Sequence, residues 1–337
     1  MRPASGRDFR ARPSASARRP GAGALVLAML LVAALLSGCA TQTRALLEAP
    51  PPDLARRAEL ARTPFIEQAD YQCGPASLSM ALGAAGIETR PEDLIGRVFV
   101  PGRQGSLQIE MIAAARSRGA VAVRIPGRLD ALLRELAAGH PVIVLQNLSL
   151  PIEPVWHYAV AIGYDLDREE LLLRSGPMRR QRLALSTFEH TWARGSHWAF
   201  VALAPGALPA TATEAELTAA LVAYERAAPP GDARRAYAAA AARWPESRVL
   251  AIGLGNAAYA AGDRAAAADA FRAAAARHGD GAAWHNLAVV LRELGRLDEA
   301  EQAARNAVDA GGQWSEQART ELDRIRALRS GQPAAPR

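Results

Sequence analysis

Residues 68–77 read Gln-Ala-Asp-Tyr-Gln-Cys-Gly-Pro-Ala-Ser and place a thiol, that of Cys73, at the start of a predicted helix. The helix is predicted to run from about 74 to 85, because Pro75 suits a first helical turn and Gly86 suits a helix end. Free N–H groups at a helix N-terminus favour a thiolate, so the position predicts a lowered thiol pKa. The pattern indicates a nucleophile; a buried structural cysteine is the alternative.

Two polar residues elsewhere suit the chemistry of an activated thiol. His157 opens a predicted strand after a loop, where its ring can face a cleft and act as the base. Gln68 lies five residues before Cys73, and its amide could join the backbone N–H of Cys73 in an oxyanion hole. The other five histidines are less well placed, and a structural role for His157 is the alternative.

Around this motif, up to residue 204, helices lead and antiparallel strands follow, which predicts an α+β fold. The clearest hairpin joins strands 157–164 and 170–174. A capping box, Ser186-Thr187-Phe188-Glu189, predicts the start of a short helix. The other predicted elements are a short helix after Pro91, helices near 106–118 and 129–138, and strands at 120–125, 142–145 and 198–203.

Beyond residue 212 the sequence is rich in Ala, Arg and Glu, with helical periodicity and an internal repeat. Leu254-Gly255, Gly262-Asp263, Ala267 and Phe271 recur 33 residues later as Leu287-Ala288, Gly295-Arg296, Ala300 and Ala304. This period is typical of tetratricopeptide repeats, with a degenerate earlier copy around Tyr237 and Pro245 and a capping helix near 315–328. A generic Ala-rich helical bundle is the alternative.

The first 38 residues predict an export signal. Six arginines and one aspartate precede the apolar run 22–36, which ends at Leu36-Ser37-Gly38-Cys39. That ending matches the lipobox of bacterial lipoproteins, so Cys39 is the predicted lipidation site and mature N-terminus. Ala40 is not the Asp that commonly retains lipoproteins at the inner membrane, which favours the periplasmic face of an outer membrane.

These signals divide the chain. The predicted parts are a signal peptide (1–38), a lipidated tether (39–61) with three prolines at 50–52, an α+β domain (62–204), a linker (205–213), helical repeats (214–330) and a disordered tail (331–337).

Charge and cysteine count exclude several classes of protein. The net charge is +6, but the signal peptide carries six Arg and one Asp, so only about +1 remains after cleavage and nucleic-acid binding is not expected. Once Cys39 is a thioether, Cys73 is the only thiol, which excludes a disulfide within the mature chain. The histidines lack metal-ligand spacing, and no cofactor is expected.

The motif Gln-x4-Cys-Gly-Pro-Ala at 68–76, with His-Tyr-Ala-Val-x-Ile-Gly-Tyr-Asp at 157–165, resembles the bacteriocin-processing, double-glycine-leader cysteine peptidases and their relatives without a transporter. The resemblance implies a papain-like domain with Cys73 as nucleophile, His157 as general base and acid, and Gln68 as oxyanion donor. Where the family has an Asp that orients the imidazole, this chain has Ser175. Asp165, in the hairpin turn, is a second candidate orienter, although an ordinary turn role is favoured.

The resulting hypothesis is a lipid-anchored cysteine peptidase acting on a peptide or protein, with the repeats recruiting a protein partner. The double-glycine leader is not transferred as substrate, because the chain has an export signal and no phosphate-binding loop. Two alternatives stay open: a non-catalytic peptide-binding adaptor, which Ser175 favours, and a thiol-dependent transferase that uses an amine in place of water.

Overall fold

The computed structural model describes residues 40–68, 72–103 and 105–330. The predicted signal peptide, the predicted lipidation site Cys39 and the predicted tail lie outside the described residues. Up to residue 204 the elements are α1 (Thr41–Glu48), β1 (Arg57–Glu59), α2 (Cys73–Ala84), α3 (Glu92–Val98), β2 (Phe99–Val100), a 3-10 turn (Pro101–Arg103), β3 (Gly105–Ser106), α4 (Gln108–Ser117), β4 (Val121–Arg124), α5 (Leu129–Ala137), β5 (Val142–Asn147), β6 (Trp156–Asp165), β7 (Glu170–Ser175), β8 (Met178–Ala184), α6 (Leu185–Arg194) and β9 (Ala199–Leu203).

Seven strands form one antiparallel sheet in the order β4-β9-β5-β6-β7-β8, and β1 pairs with the C-terminal end of β6. Side chains alternate across the sheet, so Ile143 faces a layer made by α2, α3 and α4, while its neighbour Val144 faces the opposite layer. The buried side chains Leu78, Leu82 and Met111 fill the first layer. Both faces of the sheet are thus covered, so a functional site can form only at an end of the sheet.

The second half of the chain is helical throughout its described part. The helices are α7 (Glu214–Tyr224), α8 (Pro230–Arg243), α9 (Arg248–Ala260), α10 (Arg264–His278), α11 (Gly281–Glu293), α12 (Leu297–Asp309) and α13 (Ser315–Arg329). The pairs α9–α10 and α11–α12 begin 33 residues apart, as the sequence repeat predicts. A Cβ at Gly253 or Gly255 would clash with the ring of Tyr237 or Phe271, so these small residues let neighbouring helices approach closely. The fold class predicted from the sequence, α+β followed by helical repeats, is confirmed.

The predicted tether requires correction. Residues 41–48 form a helix, Leu46 and Leu54 are buried in the core, and residues 57–59 join the sheet. The carboxylate of Glu189 accepts hydrogen bonds from the backbone N–H groups of Gln42 (2.9 Å) and Thr43 (2.6 Å) at the start of α1. The apolar side chains and the capped helix start bind this segment to the domain, so it is not a free linker.

Two further predictions differ from the structure. Helix α6 begins at Leu185 without a side-chain cap, so the capping box at Ser186 is wrong; a capping box occurs instead at Thr213 and Glu216, where α7 begins. Strand β8 was not predicted, because its sequence, Met-Arg-Arg-Gln-Arg-Leu-Ala, is largely exposed and lacks apolar alternation.

The two halves share one hydrophobic core. Leu217, Leu221 and Tyr224 of α7 belong to the same buried cluster as Val201 of β9. The hydroxyl of Tyr224 donates to the carbonyl oxygen of Gly119 at 3.0 Å. The degenerate first repeat therefore packs directly on the sheet domain. Within the described residues no helix is both long and apolar enough to cross a membrane.

The segment that connects the halves is held by Glu135, whose side chain is fully buried in α5. Its carboxylate accepts hydrogen bonds from the backbone N–H groups of Ala210 (3.0 Å) and Thr211 (2.8 Å), and it pairs with Nδ1 of His140 at 2.8 Å. Burial alone raises the pKa of Glu135, but these hydrogen bonds outweigh burial and the pKa is lowered.

Glu135→Ala is expected to lower the free energy of unfolding by about 1–3 kcal/mol, because it removes the charge-assisted hydrogen bonds from the N–H groups of Ala210 and Thr211 that hold the connecting segment. Since the folded-state pKa is lowered, this contribution is present above the ordinary carboxyl pKa and is lost as the pH falls through the folded-state value. Urea unfolding at neutral pH measures the change. The control Glu88→Ala, at an exposed position, should stay within about 0.5 kcal/mol of the parent.

Candidate active site

Cys73 is the first residue of α2 and, among the described residues, the only free cysteine. Residues 74–82 of this helix are all buried, and the helix packs between the sheet and α4, so its N-terminus is fixed in position. The thiol is partly buried and lines a cleft. The structure therefore gives the predicted nucleophile access to a ligand while holding it on a rigid element.

Gly74 makes close packing at the helix start possible. A Cβ at this position would lie 2.6 Å from Cβ of Ser106 and even closer to its Oγ, and 3.3 Å from Sδ of Met111. The β3 strand therefore reaches the end of α2 only because residue 74 has no side chain.

Gly74→Ala is expected to destabilise the fold by about 1–3 kcal/mol, because β3 must move to admit the methyl group. The same displacement should distort the cleft beside Cys73. Urea unfolding and the rate of Cys73 alkylation measure the two effects. Gly102→Ala is the control, since a Cβ there meets nothing within 4 Å; equal stability of both variants would contradict the packing argument.

His157 stands near the start of β6, opposite Gln146 of β5. Its Nε2 lies 2.9 Å from Oγ of Ser175, the last residue of β7. Ser175 is only 6% exposed, so the contact is shielded from water. The structure thus places Ser175 where it can orient the imidazole.

Asp165 does not reach the imidazole. It is the last residue of β6, eight residues after His157, or about 26 Å away at the usual rise per residue. Its carboxylate accepts hydrogen bonds from the backbone N–H groups of Asp167 (3.0 Å) and Arg168 (3.1 Å). Asp165 is a turn residue and does not orient the imidazole.

Gln68 is held in place by hydrogen bonds from its side-chain amide. Its Oε1 accepts from the N–H of Gly176 at 3.0 Å, while its Nε2 donates to Oγ of Ser77 at 3.2 Å and to the carbonyl oxygen of Tyr158 at 3.4 Å. The amide therefore has a defined orientation beside the cleft. To donate a hydrogen bond to an oxyanion, Nε2 of Gln68 must first break one of these two weak hydrogen bonds.

The charges of the thiol and imidazole are set by burial. Burial raises the pKa of Cys73, and the backbone N–H groups of Tyr158, Gly74 and Cys73 itself only partly offset it. Burial also lowers the pKa of His157. The lowered thiol pKa predicted from the helix N-terminus is therefore wrong for this resting state, in which desolvation outweighs the helix end. Both shifts favour the neutral forms of the two side chains.

The cleft has a volume of about 920 Å³ and opens at the end of the sheet where β6 begins. It brings together Gln68, Cys73 and His157, all three predicted from the sequence. The remaining lining residues are Gly105, Ser106, Leu107, Gln108, Leu145, Pro154, Val155, Trp156, Tyr158, Gly176, Pro177, Gly195 and Ser196. The described residues contain no group of three or more His, Cys, Asp or Glu side chains that could hold a metal ion.

Tyr158 and Ser77 are site residues that the sequence analysis missed. The Tyr158 hydroxyl donates to the carbonyl oxygen of Ser106 at 3.2 Å, and the Ser77 hydroxyl donates to the carbonyl oxygen of Tyr158 at 3.1 Å. Burial and the neighbouring Cys73 raise the pKa of the Tyr158 phenol. Ser77 could have been found, since it lies four residues after Cys73 and so on the same face of α2.

A thiol, an imidazole and an amide in one cleft of an α+β fold define a cysteine-peptidase-like domain. Residues 61–199 match the model of the family described as Peptidase_C39 like. Residues 61–199 are therefore similar to this family, and the described helices after them repeat with a period of 33 residues. No match was found among curated proteins.

Solved structures similar to parts of the chain include a protein described as a C39-like peptidase from Bacillus anthracis, at 20% identity, covering 44% of this chain and 98% of that one, with a TM-score of 0.37. The type III secretion chaperone SycD of Yersinia enterocolitica, in complex with a peptide of the translocator YopD, is 18% identical and covers 33% of this chain and 91% of its own, with a TM-score of 0.32. The Sgt2 TPR domain of Aspergillus fumigatus is 18% identical and covers 36% and 82%, with a TM-score of 0.29.

Proposed function

We propose that the chain is a lipid-anchored cysteine peptidase that hydrolyses a peptide bond, with Cys73 as nucleophile and His157 as general base. The observation that carries this proposal is the shared cleft: the one free cysteine of the described residues and an imidazole held by Ser175 line the same cavity. A structural cysteine would not need a fixed imidazole and an open cavity beside it.

The neutral resting pair suggests how the reaction would run. As a substrate carbonyl enters, His157 takes the thiol proton while Sγ of Cys73 attacks the carbonyl carbon. The backbone N–H of Cys73 and the Gln68 amide would then hold the oxyanion. His157 returns the proton to the leaving amine, and the same imidazole then deprotonates a water molecule that attacks the thioester carbon. The C–S bond breaks, the acid product leaves, and the imidazolium returns its proton to Sγ of Cys73.

Sequence features support the wider context of the proposal. The lipobox ending at Cys39 supports acylation, and Ala40 favours the periplasmic face of an outer membrane. The repeats after residue 214 would recruit a protein partner or substrate.

A peptide-binding adaptor is the second candidate function. It is favoured by Ser175, which cannot stabilise an imidazolium by charge, and by the raised pKa of the Cys73 thiol. In that function the cleft would hold a peptide without cleaving it.

Peptide cleavage distinguishes the two functions. A peptide mixture derived from envelope proteins is incubated with the parent chain or with Cys73→Ser, and new peptide termini are identified by mass spectrometry. Termini that depend on Cys73 support the peptidase. Peptides retained equally by both proteins, with no new termini, support the adaptor.

The pH dependence of Cys73 alkylation by iodoacetamide should reflect the buried thiol. We expect an apparent pKa above the ordinary thiol value of about 8.5, because burial disfavours the thiolate. The rate should therefore rise throughout the alkaline range and stay low at neutral pH. A plateau already reached at pH 6 would reveal a thiolate–imidazolium pair and contradict the neutral resting state.

A further inference from the structure

The loop between β5 and β6 and the first residue of β6, together residues 148–156, expose a row of large apolar side chains; we call this segment the rim loop. Leu148 is 49% exposed, Leu150 66%, Ile152 90%, Val155 52% and Trp156 53%. Exposed apolar side chains clustered in this way mark an interaction site. Val155 and Trp156 line the cleft, but the other three do not, so a peptide in the cleft leaves most of this apolar surface uncovered.

The rim loop lies at a definite end of the sheet. Asn147 at the end of β5 pairs with Trp156 at the start of β6, and Val144 of β5 pairs with Ala199, where β9 begins. Arg124 at the end of β4 pairs with Phe200 of β9. The rim loop, the mouth of the cleft and the loop that follows β4 are therefore at the same end.

The start of the described chain is bound at this end as well. The Gln42 side chain donates to the carbonyl oxygen of Gly127 at 3.3 Å and accepts from the N–H of Leu129 at 2.6 Å, just after β4. A Cβ on Gly127 would touch Cβ of His197, the neighbour of the cleft-lining Ser196. Helix α1 thus starts beside the residues that border the cleft.

The position of Gln42 limits where an acyl group on Cys39 can be. Cys39 is three residues before Gln42, a fully extended span of about 10 Å. Because Glu189 and Gly127 fix Gln42, lipid on Cys39 would hold this end of the sheet close to the bilayer.

We propose that the rim loop inserts into the interfacial layer of the membrane that anchors Cys39, so that the cleft opens at the bilayer surface. This inference rests on the proposed lipidation. Acyl chains and an apolar loop at one end of a domain reinforce each other, since each adds apolar burial in the same bilayer. Trp156 suits the interface, where its ring can contact acyl chains and its N–H can face headgroups. Substrates would then be peptide segments that lie at the membrane surface.

Spin labels on the full chain test the proposal. Ile152→Cys is introduced with Cys73→Ser, so that with Cys39 acylated the new thiol is the only one; Leu328→Cys, 43% exposed on α13, is the matched control. Each nitroxide-labelled protein is reconstituted in vesicles of phosphatidylethanolamine and phosphatidylglycerol. We expect the label at 152 to show a several-fold higher ratio of oxygen to nickel-complex accessibility than the label at 328.

The intact mass separates the possible failures. An acylated chain whose label at 152 is as accessible to the nickel complex as the label at 328 overturns the membrane contact but leaves the anchor standing. A chain that keeps residues 1–38 without acylation overturns the anchor and this inference with it. Concentration-dependent spin–spin broadening at 152 in detergent shows a second copy on the rim loop, and protection by added peptide without lipid shows a peptide partner; either result overturns the proposal.

Discussion

Cys73→Ser is expected to abolish peptide hydrolysis, by a factor of about 10⁴ or more, and to leave the fold intact. A hydroxyl is a far weaker nucleophile than a thiol, and its proton is much harder for the imidazole to remove because a hydroxyl is far less acidic. The volume change is small, and the backbone N–H groups around residue 73 are retained. The rate at which the Cys73-dependent peptide termini appear measures the loss, and urea unfolding checks the fold.

His157→Ala should lower the rate of peptide hydrolysis nearly as much as Cys73→Ser does, because the thiol then has no base. The double variant should be no slower than the slower single variant, since residues that act as one unit are strongly non-additive. His278→Ala, in the repeats at the end of α10, is the matched control and should keep the parent rate. Full additivity of Cys73→Ser and His157→Ala would contradict a shared reaction step.

Strong local patterns explain why much of the fold could be predicted. The β6–β7 hairpin and α2 have clear apolar runs and turn residues, and a sequence period of 33 residues indicates the repeats. Helix α1 and strand β1 were missed because the run Pro50-Pro51-Pro52 dominates their neighbourhood, while their stability comes from contacts with α6 and β6, more than 100 residues away. Strand β8 was missed because an exposed, Arg-rich edge lacks the alternation of a half-buried strand.

The candidate site, like the fold, could be predicted from the sequence only in part. Cys73 and His157 carry recognisable local signals, Ser175 was placed by the family resemblance, and the structure brings all three together. The pKa direction of the thiol could not be predicted, because a helix N-terminus is visible in the sequence whereas burial is not. The engagement of the Gln68 amide with Ser77 and Tyr158 depends on strand β6 reaching α2, which sequence proximity does not reveal.

Variants of Ser175 test whether it is a positioning residue for His157. Ser175→Ala is expected to lower kcat about 10²-fold, because the imidazole loses the hydrogen bond at Nε2 that fixes its ring and tautomer. If Ser175 acts only through packing, the loss should appear in stability and not in kcat. Urea unfolding of the same protein separates these outcomes.

Ser175→Asp should favour a thiolate–imidazolium ion pair of Cys73 and His157 over the neutral pair. A carboxylate within hydrogen-bond distance of Nε2 favours the imidazolium and raises the pKa of His157. The imidazolium in turn stabilises the Cys73 thiolate, so the alkylation profile should move to lower pH and the neutral-pH rate should rise. Ser175→Asn is the matched control, since it has the same shape without the charge and should leave the profile near the parent. Identical profiles for the Asp and Asn variants would show that residue 175 does not control the charge of His157, and the raised thiol pKa would then reflect burial of Cys73 alone.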